Sequence, residues 1–448
     1  QVWAEGVGRR LQSDDAPGNR TVMTAMKFVL ANWGTRGEVE PYLTIGRELV
    51  RRGHDVSMAV APEMVDFVES VGPAGVAYGP ELKAVLDPHR DYWTYWFGNP
   101  WKIRKLDRMW REVVQPLTEC RAEVSRTLTA LADGADLLLT GMNYEDTAAN
   151  VAEYCGIPLA TLHHFPWRPN GRLVPFLPAP VGRVGMSFYD WLLWRGSKSA
   201  DDAQRRELGL PKTASPWTRR IAEHGSLEIQ AYDDVIFPGL AAEWARWKHQ
   251  RPFVGALTME LPTSADDEVA SWASAGTPPI FFGFGSMPVQ SPSDTVEMIS
   301  GACAQLGERA LICAGWSDFA DVPHVDHVKV VHAVNYASIF PLCRAVVHHG
   351  GSGTTAAGLR AGIPALILSV DVNQILWGAQ VKRRLKVGTH RRLSATSRRS
   401  LVADLQRILA PEYAIRAREL AGRMTAAAQS VATAADLAED FASSRRLT

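Results

Sequence analysis

Residues 348–355 read His-His-Gly-Gly-Ser-Gly-Thr-Thr, two imidazoles, three glycines and three hydroxyls in eight positions. This composition suits an anion. The β-branched run before it, Ala345 to Val347, predicts a strand. A helix is predicted to start at Thr354 and Thr355 and to stop at Gly362 and Pro364, where a second apolar strand begins. A strand–loop–helix unit of this kind points the unpaired N–H groups and the positive dipole end of its helix at the loop. Gly350, Gly351 and Gly353 let the backbone approach a phosphate. Ser352 and Thr354 add hydroxyl donors, and a histidine just before the turn donates to the same oxygens.

Two further loops combine polar chemistry with a strand end. GTRGEVEP at 34–41 offers a cation, Arg36, and a carboxylate, Glu38, ahead of a helix predicted to begin at Pro41. Glu38 has two readings: a partner of the helix dipole, or a base at the mouth of the first strand. FGSM at 284–287 is a tight turn carrying Ser286. Other patterns are missing from the sequence. No Asp-x-Asp occurs, so no carboxylate-held divalent metal is expected. No GxxxxGK[ST] and no N-terminal GxGxxG occur, which disfavours a P-loop or a standard dinucleotide fold. His163 and His164 end another strand, where a structural role is favoured.

These loops need elements to hold them. From Met26 the chain alternates strand and helix: strands over 27–33, 54–61, 136–140 and 158–163, with a helix from Pro41 to Arg52 and another from Pro62 to near Gly72. The stretch 238–262 reads as a crossing. Alternation then restarts, with strands over 279–283, 309–314 and 328–334 and a helix over 293–306. The alanine-rich segment 411–443 is helical and is expected to pack across the junction. The expected architecture is α/β, two doubly wound parallel-sheet halves facing across a cleft, with the ligand at the carboxyl ends of the strands. The boundaries are an N-terminal half over 26–240, a linker over 241–262, a C-terminal half over 263–410 and closing helices over 411–448.

At 448 residues, with 48 basic and 48 acidic side chains, the chain suits two domains and offers no global field for nucleic acid. Five scattered cysteines argue for reduced thiols in the cytosol. Residues 1–25 read as a polar tail, either disordered or preceding a natural start at Met23 or Met26; they carry no signal-peptide pattern. Two aromatic clusters break the rhythm. One is DYWTYWFGNPWKIRKLDRMW at 91–110, with Trp93, Trp96 and Phe97; the other is Phe188, Tyr189, Trp191 and Trp194. Core packing is the favoured reading for most of these rings. The other is an apolar acceptor cleft, with peripheral contact at the inner face of a membrane.

Taken together and in this order, GTRGEVEP (34–41), GFGSM (283–287), AGW (314–316), HAVN (332–335) and HHGGSGTTAAGLRAGIP (348–364) resemble a family 1 glycosyltransferase of the GT-B fold. The resemblance covers nearly all of 26–440. It is nearest to bacterial natural-product, sterol and glycopeptidolipid glycosyltransferases, including vancomycin-type glucosyltransferases. It implies that His349, Gly351, Ser352, Gly353 and Thr354 hold the donor pyrophosphate, with Ser286 and Arg36 assisting. Val334, the Asn335 backbone and Trp316 border the nucleobase. Glu38 takes the acceptor proton, and Asn373 with Gln374 reads the donor sugar. Trp93, Trp96 and Phe97 are the acceptor-pocket candidates.

The implied reaction is inverting, metal-independent transfer of a hexosyl group from a UDP- or TDP-sugar to a hydroxyl of a hydrophobic acceptor, with no cofactor. Two departures stand out. Glu38 replaces the usual Asp, and Asn373-Gln374 replaces Asp-Gln or Glu-Gln, with Asp371 two residues out of register. These imply a changed donor, such as a deoxysugar nucleotide, or reduced activity. The rival reading is a non-catalytic homologue that activates a true transferase, and a third is sugar-nucleotide hydrolysis or epimerisation.

Overall fold

The computed structural model describes residues 25–283, 285, 292–315 and 325–446; Ser286, Trp316 and the segment 1–24 lie outside the described residues. Two six-stranded sheets, each parallel throughout, organise the chain. The first contains β1 (Lys27–Ala31), β2 (Asp55–Val60), β3 (Ala74–Ala77), β4 (Leu137–Thr140), β5 (Leu159–His163) and β6 (Leu227–Gln230), in the spatial order β3-β2-β1-β4-β5-β6. The second contains β7 (Ile280–Gly283), β8 (Ala310–Cys313), β9 (Val328–Val331), β10 (Ala345–His348), β11 (Ala365–Ser369) and β12 (Gly388–Arg392), in the order β12-β11-β10-β7-β8-β9. Counted from the first strand of each sheet, the two orders are the same. Each chain path reverses direction between its first and fourth strands, β1/β4 and β7/β10. Loops leaving the strands there open a crevice for a ligand.

The central strands are short apolar runs, fully buried because helices cover both sheet faces. β3, β6 and β12 were not expected from the sequence. β3 is only four residues long and half-exposed at an edge, and β12 ends in His390, Arg391 and Arg392. β6 carries Glu228 and Gln230, both fully buried, so its pattern does not read as a core strand.

The first helix begins earlier than expected. It runs Arg36–Arg51, with Pro41 inside it, because Thr35 and Glu38 form a capping box one turn upstream of the proline. The glycine-loop helix likewise begins before Thr354, at Ser352, and ends at Arg360.

A buried ion network holds the chain after β5. The Arg168 guanidinium donates to both Glu145 oxygens at 2.9 Å and also bonds Glu228. Glu145 also accepts from Trp217 Nε1 (2.9 Å) and lies 3.1 Å from His163 Nε2. Burial pushes the Glu145 carboxyl up, but Arg168 and His163 outweigh it and hold it at about 2. Arg251 completes the network, with its Nε 3.0 Å from Glu228 Oε1 and its guanidinium over the Trp247 ring. The structural reading of His163 is the one observed.

Long-range ties join the two halves. The helix Ala427–Arg446 returns to the first sheet, where Ala434, Ala435, Ala438 and Ala442 enter the core beside Met26 and Leu49. Arg52 Nη1 donates to Asp436 (2.7 Å) and Glu439 (2.6 Å) on this helix. Gln380 Nε2 donates to the carbonyls of Arg172 (2.9 Å) and Leu173 (3.0 Å).

The most connected tie is Arg360, the last residue of the glycine-loop helix. Its Nε donates to Thr425 O (2.9 Å), Nη1 to Thr258 Oγ1 (2.9 Å), and Nη2 to Ala256 O (2.6 Å) and Ser430 Oγ (3.1 Å). Asp233 accepts from the amides of Thr425 (2.6 Å) and Ala256 (3.3 Å) beside it. Replacing Arg360 by Ala strands several half-buried acceptors, at a cost of about 2–4 kcal/mol. A melting temperature several degrees lower in Arg360→Ala, partly recovered in Arg360→Lys, is the expected calorimetric result; unchanged melting would show that the tie carries no stability.

Candidate active site

Three strand ends of the second sheet nest against one another through glycines. Gly285, two residues past β7 at φ +62°, faces the His349 ring, and a Cβ there would lie 2.7 Å from His349 Cε1. Gly315, past β8 at φ +58°, presses on the Gly285 carbonyl. On the other side of the imidazole, a Cβ on Gly351 would come 2.6 Å from His349 Nε2. The ring therefore sits in a slot that only glycines leave open. Burial pushes His349 down to about 4, against the Gly283 carbonyl, so at neutral pH it is an uncharged imidazole whose single N–H has that carbonyl as an acceptor. His348, fully buried, accepts from Gly350 N at Nδ1 (3.1 Å), which places its proton on Nε2.

The helix Ser352–Arg360 starts at this slot. Gly351 is its N-cap and no side chain caps it. Thr355 turns back on the Gly351 carbonyl with its amide (2.9 Å) and its hydroxyl (2.8 Å). The amides of Ser352, Gly353 and Thr354 make up the first turn, whose N–H groups have no intrahelical acceptor. Thr354 bonds the Tyr336 side chain, which stacks on Phe340 at 4.6 Å.

The opposing wall is the start of the helix Arg36–Arg51. Glu38 Oε2 accepts from Thr35 N (2.8 Å), and Asn32 Nδ2 donates to the Glu38 carbonyl (2.7 Å). The helix-partner reading of Glu38 is thus present in the structure. Burial pushes the Glu38 carboxyl up, and repulsion from Asp371 of the second half adds to the shift. Arg36 is exposed, 3.3 Å from Glu40, with its guanidinium over Phe67. Pro41 of this helix and Ser352, Gly353 and Ala356 of the other line one crevice of about 280 Å³, together with His164 and Trp377.

The remaining candidates divide. Val334 is buried, and Asn335 caps a short turn by accepting from Ala337 N (3.1 Å), with its own amide given to Asp266 (2.9 Å). Asn373 is exposed and lines a second crevice of about 210 Å³ with Phe165, Leu173, Phe237 and Trp377. Gln374 is buried instead. Its Oε1 accepts from Val370 N (2.7 Å) while its backbone N–H donates to Asp371 Oδ1 (2.9 Å), so its side-chain oxygen serves a local clasp. Trp93, Trp96 and Phe97 are half-buried, in ring contact at 5.2–6.1 Å, with Arg392 of the second half over Phe97. Trp93 Nε1 donates to His89 Nε2 (2.8 Å), and His89 interacts electrostatically with Asp371. His89 was not anticipated at the junction; Asp371 was noted only as two residues out of register with the sugar-reading pair, and His164 only for its place at the carboxyl end of β5.

The glycosyltransferase family 28 N-terminal domain matches residues 28–122, and the erythromycin biosynthesis protein CIII-like C-terminal domain matches 287–441. The uncharacterized glycosyltransferase Rv1524 of Mycobacterium tuberculosis is 57% identical over 419 residues, covering 93% of this chain and 99% of that protein. The chain belongs to the GT-B glycosyltransferases. The sterol 3-beta-glucosyltransferase UGT80A2 of Arabidopsis thaliana is 28% identical over 368 residues, 80% of this glycosyltransferase and 57% of its relative. Among solved structures, the glycotransferase of kitacinnamycin superposes with a TM-score of 0.67 at 18% identity, covering 93% of this chain and 99% of that one. SsfS6 from Streptomyces sp. SF2575, complexed with thymidine diphosphate, gives 0.58 at 19% identity, covering 92% and 99%. Among the described residues no helix is long and apolar enough to cross a membrane.

The glycine slot makes a direct prediction. In Gly285→Ala the left-handed backbone and the approach to His349 both oppose the methyl group, at a cost of at least about 1 kcal/mol. A lowered melting temperature with weakened thymidine diphosphate binding in calorimetry is expected. Wild-type values for both would mean that His349 is not held by this slot.

Proposed function

We propose that the protein transfers a hexosyl group from a UDP- or TDP-sugar to a hydroxyl of a hydrophobic acceptor, with inversion at the anomeric carbon and no metal. The observation that carries this reading is the crevice lined by Ser352 and Gly353 of an uncapped helix start and, from the other half, by Pro41, three residues past Glu38 on its helix. The thymidine diphosphate complex of SsfS6 supports the donor class, and the sterol glucosyltransferase supports a hydrophobic acceptor. Five free cysteines fit a cytoplasmic setting.

In this reading the donor's diphosphate rests on the amides of Ser352, Gly353 and Thr354, with the His349 imidazole beside them. Arg36 and Ser286 assist. The charge that grows on the leaving group meets donors already in place, so no reorganisation is needed as the glycosidic bond breaks. Trp316, Val334 and Asn335 border the base, Asn373 and Gln374 the sugar, and Trp93, Trp96 and Phe97 the acceptor. Oε2 of Glu38 stays on Thr35, and Oε1 takes the acceptor proton as its oxygen attacks the anomeric carbon. Asn373, beside apolar walls and without a charge, favours a donor with fewer hydroxyls, a deoxyhexose.

Three measurements test this. Removing the base in Glu38→Gln is expected to lower kcat by about 10²–10⁴-fold with donor affinity kept; wild-type turnover would end the assignment. Because burial and Asp371 raise the Glu38 pKa, the acid limb of kcat/KM should lie above the ordinary 4.5. Activity is then lost as pH falls through the raised value. Asp371→Asn keeps a helix cap and removes the repulsion, so the limb should move down; no movement would separate Asp371 from the base. Finally, chelation with EDTA should leave the rate unchanged, and loss of activity restored by a divalent ion would contradict the metal-independent reading.

A further inference from the structure

The helix Ala179–Glu207 has two apolar sides. Gly182 and Trp194 are buried, and Met186 and Leu193 pack against the cores. The other side holds Val181, Val184 and Phe188, and then both Trp191 and Leu192, three and four residues past Phe188, so all five share one stripe. Val184 is 70% exposed, Phe188 58%, Trp191 45% and Leu192 45%. Phe188 and Trp191 stack at 5.9 Å, so the stripe is ordered although it faces outward. The one carboxylate within it, Asp190, is half-buried and accepts from Thr218 Oγ1 (2.9 Å). Arg183 and Arg195 are exposed at its flanks, Arg183 paired with Glu243.

The same half carries a second exposed apolar cluster. Where the helix Leu82–Gly98 gives way to the helix Ile103–Glu119, residues 100–105 read PWKIRK, with Trp101 69% and Ile103 73% exposed among Lys102, Arg104 and Lys105. The helices that flank this tip reach the helix Ala179–Glu207 through Tyr92, which lies 5.1 Å from Trp110 and interacts with Tyr189. From Tyr189 a ladder of rings leads inward: Trp167 at 6.3 Å, then Phe165 at 5.7 Å, then His164 at 5.3 Å. Phe165 lines the crevice with Asn373, and His164 lines the crevice with Ser352 and Gly353.

We infer that this stripe and tip dock on an anionic lipid bilayer, and that the ladder Tyr189–Trp167–Phe165–His164 is the path by which a membrane-held acceptor reaches the crevice. Indole and aliphatic side chains interleaved with cations suit the interface between headgroups and acyl chains. A cluster of exposed cations draws the face to negative lipid, each adding about five-fold to binding. A second copy of the chain on the same face would set Arg195, Lys102, Arg104 and Lys105 against their own equals. The path rests on the proposed reading of the crevice; the docking surface does not.

The test is co-sedimentation with vesicles of pure phosphatidylcholine and of phosphatidylcholine mixed with phosphatidylglycerol, beside calorimetry with thymidine diphosphate. The wild type is expected to pellet with the anionic vesicles. Combining Phe188→Ser, Trp191→Ser and Leu192→Ser should weaken this at least about ten-fold, and Lys102→Glu with Lys105→Glu should remove the preference for anionic lipid. Unchanged nucleotide affinity shows that both variants are folded. The inference is overturned if the wild type stays in solution, if the triple variant binds vesicles as the wild type does, or if light scattering shows a wild-type dimer that the triple variant splits. Vesicle binding by a wild type that binds no nucleotide upholds the surface and removes its path into the crevice.

Discussion

The helix Ser352–Arg360 begins with amides that its own turns cannot satisfy and ends with a guanidinium that four acceptors hold. Most of the second half is arranged around that asymmetry. At the amino end, strand termini must approach each other closely enough to leave an anion-sized gap, and glycines at 285, 315 and 351 make the approach possible around His349. At the carboxyl end, Arg360 fixes the same helix to the segment between the halves and to the chain that crosses back. The residue that anchors the two halves therefore sits on the element read here as the diphosphate seat.

The first half solves a different problem. In the proposed reading it presents a carboxylate and an apolar entry on loops that need to be held in place. The capping box holds Glu38 at a fixed place on the first helical turn. The buried Arg168 network does the same for the chain after β5, which carries His164, Phe165 and Leu173 to the crevices. Removing one partner of such a network would leave a buried charge unpaired, which costs far more than the intact network contributes.

The alternation of short apolar strands with helices was legible because both sheets are parallel and buried on two faces, so their strands read as simple runs. The motif at 348–355 was legible because the helix N-terminus and its glycines are local in sequence. What sequence could not show was tertiary. Pro41 looked like a helix start, yet a Thr35–Glu38 box won the first turn. Gln374 Oε1 accepts from Val370 N, a local contact that spacing alone does not reveal. Two rings read mainly as core, Phe188 and Trp191, face outward, since spacing alone gives a stripe and not the side of the helix that meets the sheet. β6 escaped notice because its buried Glu228 is paid for by arginines far along the chain.

The central claim is that the diphosphate of the donor sits on the first turn of the helix Ser352–Arg360. Amide hydrogen exchange, with and without thymidine diphosphate, tests it most directly. The amides of 352–354 should exchange quickly in the free protein and slow markedly on binding, together with the His349–Gly351 turn. Slowing elsewhere, with 349–354 unaffected by saturating nucleotide, would contradict the account.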